Sequence, residues 1–132
     1  MFKFSGSRPQ RLGVVSGRFS APTTGKPNWV SSMADAADRG HYIAPLPMAG
    51  TASQSMAKLR QVLDGLPRVR VVSATSDYLH AEFSSALMGY VDDVEFYCDG
   101  ERLQVRSSSR LGYSDLGANR KRVESLRAAL AA

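Results

Sequence analysis

The sequence predicts an α+β fold: an antiparallel sheet of about four strands, two helices on one face, and an irregular N-terminal segment. Three observations carry this expectation. Apolar and polar residues alternate over 68–72, over 78–83 and on both sides of Asp99-Gly100, the pattern of half-buried strands. Apolar residues recur at three- and four-residue spacing over about 51–64 and 115–131, each run bounded by helix start or stop residues. Residues 1–50 collect five of the six prolines and six of the eleven glycines, which interrupt both kinds of element.

The segment through about residue 25 reads as flexible, and residues 26–132 as a single domain, which suits a chain of 132 residues. Two anchors stand out before residue 51. Asn28-Trp29-Val30 brings the only tryptophan, a large area to bury. His41 to Leu46 reads as a short edge strand stopped by proline. Thr51 or Ser53 then caps a helix through about Asp64, in which Met56, Leu59 and Val62/Leu63 form the apolar face and Gly65 with Pro67 supplies the stop. Arg68–Val72 reads as a strand. Tyr78–Phe83 reads as another, with Leu79, Ala81 and Phe83 on one face and Tyr78, His80 and Glu82 on the other.

Asp99-Gly100 between two alternating runs predicts a hairpin with a two-residue type I′ turn. That turn sets Phe96 opposite Leu103, Val94 opposite Val105, Tyr97 opposite Arg102 and Asp93 opposite Arg106. The last helix is expected over about Asp115–Ala131, with Ser114 as N-cap and Leu116, Val123, Leu126 and Leu130 as its seam. Asn119 falls on that seam, where a buried amide must find partners or cost about 1–3 kcal/mol.

Charge is segregated. Residues 1–50 hold six Lys/Arg against two Asp, 51–100 hold four against seven acids, and 101–132 hold seven against three. Basic ends flanking an acidic middle predict pairing between blocks within the fold. The cations are not interleaved with aromatics and match no nucleic-acid-binding pattern, which argues against nucleic acid as a partner. No apolar run approaches the ~18 residues of a membrane span, and none of 7–15 residues follows Lys3, Arg8 and Arg11, so a cytoplasmic protein is expected. One cysteine, Cys98, excludes an internal disulfide and Cys-based zinc sites; by register it is a core thiol. His41 and His80 lie far apart, and no metal or other cofactor is expected.

The stretch Arg106–Arg122 packs five cations and four serines around the start of the last helix. A helix N-terminus disfavours cations, so an anion should offset them. One reading is a bound phosphate, sulfate or carboxylate held by backbone N–H groups and by Arg106, Ser108, Arg110, Ser114, Asn119 and Arg120, with Asp92, Asp93 and Glu95 orienting the arginines. The other is an internal salt-bridge network between those same acids and arginines. A third is acid–base or metal-assisted catalysis by two carboxylates near His80.

Tyr78–Phe83, Val91–Phe96 and the long run Arg106-Ser-Ser-Ser-Arg-Leu-Gly-Tyr-Ser-Asp-Leu-Gly-Ala-Asn-Arg-Lys-Arg-Val-Glu124 together resemble the Domain of Unknown Function 1499 family, and Asn28–Ser32 and Ala44–Leu46 resemble its upstream blocks. The resemblance spans roughly residues 26–130. It implies a domain found in bacteria and plastid-bearing eukaryotes, often behind an export or membrane segment, and it implies no reaction. This chain carries Trp29 where many such sequences have a cysteine. The combined expectation is a small non-enzymatic module that binds an anionic ligand or a protein partner through the polar sheet face and the start of the C-terminal helix.

Overall fold

The computed structural model describes residues 6–9, 12–20 and 25–132. Seven strands and two helices follow one another as β1 Val14–Val15, β2 Arg18–Phe19, β3 Trp29–Ser31, α1 Ala52–Asp64, β4 Val69–Ala74, β5 Tyr78–Ser84, β6 Val91–Cys98, β7 Leu103–Ser109 and α2 Ala118–Ala131. β3 to β7 form one antiparallel sheet in the order β3-β7-β6-β5-β4, and β1 and β2 make a separate two-stranded hairpin. The α+β class holds. The main sheet has five strands where about four were expected, because the three-residue β3 is too short to show alternation. It is held by Trp29, Val30 and Ser31 pairing with Ser108, Ser107 and Arg106. Of the N-terminal segment expected to be flexible, residues 1–5, 10–11 and 21–24 lie outside the described residues.

The core lies between one sheet face and both helices. Leu59 and Leu63 of α1 and Val123, Leu126 and Leu130 of α2 join Leu79, Ala81, Val94, Phe96, Leu103 and Val105 of the sheet in a single buried cluster. Each large aliphatic or aromatic side chain taken fully from water contributes about 1.5–3 kcal/mol. α1 begins where its cap dictates: the Thr51 hydroxyl accepts from the Gln54 N–H while the Gln54 side chain accepts from the Thr51 N–H. It stops at Gly65, whose N–H returns to the Gln61 carbonyl.

His41–Leu46 is not a strand. It makes two isolated bridges, Ser31 with Tyr42 and Leu46 with Leu103, and buries Ile43 and Leu46. The Ser31 N–H donates to the His41 carbonyl, so this segment covers the outer edge of β3. Trp29 stacks on His41, with ring centroids 3.8 Å apart.

The β6–β7 hairpin forms, but its register is shifted by two residues from the expected one. Cys98 opposes Leu103, Phe96 opposes Val105, Glu95 opposes Arg106 and Asp93 opposes Ser108. Asp99 is the reason. Its carboxylate accepts from the Glu101 and Arg102 N–H groups at 2.9 and 2.8 Å, which draws both residues into a four-residue loop. A shift of two preserves which face each side chain takes, so Phe96, Val94, Leu103 and Val105 remain core as expected. It changes every polar partner.

Candidate functional site

The sheet face opposite the helices carries a buried charged cluster, and strand alternation puts it there. Tyr78, His80 and Glu82 on β5 face the same side as Asp93 and Glu95 on β6 and Arg106 on β7, across the pairs His80–Glu95, Glu82–Asp93 and Glu95–Arg106. The N-terminal segment lies over them.

Glu95 is the inner anchor. Its side chain is 0% exposed and accepts from Arg106 Nε at 2.7 Å, Arg106 Nη2 at 2.5 Å, the Tyr78 hydroxyl at 2.8 Å and the Gly13 N–H at 2.7 Å. Arg106 also donates to the Ser20 carbonyl at 2.7 Å and stacks over the Phe19 ring. Burial, with Glu95 charged beside it, holds the Tyr78 hydroxyl well above the ordinary phenol range.

Asp93 forms the second anchor. Arg110 grips it with Nε at 2.8 Å and Nη2 at 2.9 Å, and His80 Nε2 lies 2.8 Å from Asp93 Oδ1. Arg110 Nη2 reaches Glu82 as well, at 2.5 Å, and Arg8 Nε binds the same Glu82 oxygen at 2.7 Å. Burial alone would raise the Asp93 carboxyl, but the hydrogen bonds from Arg110 and His80 outweigh it and the pKa is lowered. Glu82 is lowered chiefly by the hydrogen bond from Arg8, against burial and with help from Arg110.

A separate polar hub lies on the helix side, at the start of α2. Asn119 is 0% exposed. Its carbonyl oxygen accepts from Ser107 Oγ at 2.6 Å and Arg122 Nη1 at 2.9 Å, and its amide donates to the Asn28 carbonyl, Ser109 Oγ and Asp115 Oδ2. Arg122 in turn pairs with Asp92 at 2.8 Å. Burial of Asp92 raises its carboxyl despite Arg122 and the Ser109 hydroxyl.

Placed against the expectations, the residues divide. Arg106 pairs with Glu95, not with Asp93, as the shifted register requires. Arg110 belongs to Asp93 and Glu82, while Ser108 opposes Asp93 in the strand pair. Asp92 turns to the other face and meets α2, so it orients Arg122 instead of Arg106 or Arg110. Ser114 is not the N-cap: α2 starts at Ala118, preceded by Gly117 at φ +82°, and the Ser114 hydroxyl accepts from the Leu116 N–H. Asp115 takes the capping role, accepting from the Gly117 and Asn119 N–H groups. Leu116 leaves the expected seam altogether and is 88% exposed. Arg120 donates to the carbonyls of Arg39, Gly40 and Tyr42, which ties α2 to the loop before Ile43.

Arg8, Asn28 and Arg122 were not foreseen. Arg122 had a visible signal, since it follows Asn119 by three residues on the same helix face. Arg8 had none, because its partner is 74 residues away.

Chemically, the cluster offers one notable convergence. Ligand atoms of His80, Glu82 and Asp93 lie within 4.8 Å of one another, the arrangement a divalent ion or an acid–base pair would use. Both carboxylates are already gripped by guanidinium groups, from Arg110 on both and from Arg8 on Glu82, so a cation there would have to displace two others. No buried side-chain nitrogen or oxygen among the described residues lacks a partner. None of the helices among the described residues is long and apolar enough to cross a membrane.

The model of a family described as "Protein of unknown function (DUF1499)" matches residues 21–130. No curated protein and no solved structure matches the chain.

Proposed function

The chain belongs to the DUF1499 family of proteins of unknown function, a membership that supplies no reaction, so we propose a role from the geometry alone: a non-enzymatic scaffold module whose charged cluster is an internal clasp. In this reading the cluster fastens the N-terminal segment onto the sheet. One observation carries it. The guanidinium groups expected to receive an external anion already have anions of the protein's own. Arg106 has Glu95, and Arg110 has Asp93 and Glu82, with both arginine side chains only 7% exposed. Arg120 points its donors at three backbone carbonyls. An anion receptor needs donors aimed into open space.

The experiment is a thermal-unfolding titration with phosphate and sulfate, against chloride at matched ionic strength. The clasp reading expects only the general stabilisation that excluded sulfate and phosphate give any fold, the same in the native chain and in the arginine variants. It also expects Arg110→Ala to lose stability and Arg120→Ala to stay folded with its salt response unchanged. A rise in Tm specific to phosphate or sulfate, abolished by Arg110→Ala or Arg120→Ala, would instead establish an anion-binding module.

A second reading rests on the convergence of His80, Glu82 and Asp93. It requires that Zn2+ or Mn2+ raise the Tm of the native chain and that His80→Ala remove that rise. The competing guanidinium groups favour the clasp.

A further inference from the structure

The apolar side chains that the fold leaves in water are not scattered. Among the described residues, every exposed large hydrophobic except Val15 sits at one end of the main sheet. Leu87, Met88 and Tyr90 are on the loop from β5 to β6. Leu111, Tyr113 and Leu116 are on the segment from β7 to α2. The pairs Ser84–Val91 and Asp92–Ser109 bring the roots of these two loops together. The turn into β4 joins them, since the Ser84 N–H donates to the Arg68 carbonyl, and Leu66 is exposed just before it. A groove of about 260 Å³, lined by Leu66, Val69, Phe83 and Leu126 among others, opens at the same end.

Arg68 and Lys121 are exposed. Of the nearby acids, Asp92 is paired with Arg122, the exposed Asp64 with Arg60, and the half-exposed Asp115 accepts from the N–H groups that start α2. The whole chain carries a net charge of +5.

We propose that this end of the sheet is a docking surface for an anionic lipid bilayer, with the two loop tips inserted at headgroup depth and Arg68 and Lys121 against the lipid phosphates. The chemistry matches each requirement of an interfacial contact. Leucine and methionine side chains gain by leaving water, tyrosines suit the headgroup level, and cations are drawn to a negative surface. The loops are short, and the Ser85 N–H donates to the Tyr90 carbonyl, closing the first one into a compact tip. A second copy would present the same exposed cations, Arg68 and Lys121, in place of a negative surface, so the bilayer is the better fit. This inference concerns a surface distinct from the clasp, and either can fail without the other.

The test uses the full chain and vesicle flotation. One set of vesicles is phosphatidylcholine alone; the other mixes phosphatidylcholine with phosphatidylglycerol. The expected result is flotation with the mixed vesicles only, weakened by added salt. Leu87→Glu combined with Leu116→Glu should cut the partition by more than about tenfold, since each leucine loses several buried methylenes. Lys121→Glu should weaken it less. Both positions are exposed, so an unchanged Tm for the double variant shows that folding is intact. Absence of flotation with mixed vesicles overturns the proposal, as does flotation that the double variant leaves unchanged. Light scattering supplies the remaining outcome: a native dimer that the double variant converts to monomer would make this end a self-interface, which also overturns it.

Discussion

Glu95 sits on the middle strand of the sheet, shielded on one side by the core and on the other by the N-terminal segment, so protein donors take the place of water around its carboxylate. Replacing it with alanine leaves Arg106 buried without a counter-charge. Glu95→Ala is therefore expected to lower stability by about 3–5 kcal/mol, read from urea unfolding midpoints. Glu82 and Asp93 predict a pH dependence whose sign follows from their shifts. Both have folded pKa values lowered below the unfolded ones of about 4, so the stability they contribute is complete above that pH. It is lost as pH falls through the folded values. Asp92, raised by burial, acts in the opposite sense and gains as it protonates. Asp99 and Asp115 are lowered as well, so four lowered carboxylates stand against one raised and the urea midpoint should fall between pH 5 and pH 3. Glu82→Gln should narrow that difference. A midpoint unchanged across this range would contradict the clasp. These residues were partly legible. The acids and Arg106 were expected on one face, and alternation alone put them there. Arg8 was not, because nothing in the spacing of residues 1–25 points to Glu82.

At the level of elements, the sequence states types well and boundaries less well. α1 and its Thr51 cap follow from side chains within one turn of each other, so local pattern suffices. The same holds for the alternation of β5, where Leu79 and Ala81 bury into the core and His80 into the polar cluster. The β6–β7 turn shows the limit. Asp99-Gly100 does sit in the reversal, with Gly100 at φ +98°, but the Asp99 side chain widens it to four residues. Asp99→Ala removes the acceptor for two backbone N–H groups and for the Gln104 amide, and should cost roughly 1 kcal/mol while leaving the strands paired. Asp99→Asn, which retains one acceptor, should recover part of that. Amide hydrogen exchange of Glu101 and Arg102 reports it directly. The start of α2 lies three residues beyond the expected Asp115 for a similar reason. Ser114, Asp115 and Asn119 are all suitable capping types, and only the buried geometry of Asn119 selects Asp115.

For the whole molecule, the charge blocks explain how the ends meet the middle. Arg8 from the first block pairs with Glu82, and Arg106, Arg110 and Arg122 from the last pair with Glu95, Asp93 and Asp92 of the acidic centre. The N-terminal cover therefore contributes to stability although it adds little to the core. Removing residues 1–20 takes away Phe19, the Gly13 N–H, the Ser20 carbonyl and Arg8 together. The shortened chain should melt about 10 °C lower, as expected for a loss of two or so kcal/mol in a domain of this size. No change in Tm would mean that the cover is not held by the cluster. Residues alone determined the α+β class, the helix and strand faces, and the meeting of acidic and basic blocks, because periodicity and charge act over short distances along the chain. Which arginine serves which carboxylate, and whether those arginines face water or protein, was decided only in three dimensions. A two-residue shift in one hairpin keeps every burial preference satisfied yet exchanges every ion pair, so hydrophobic patterning is blind to it.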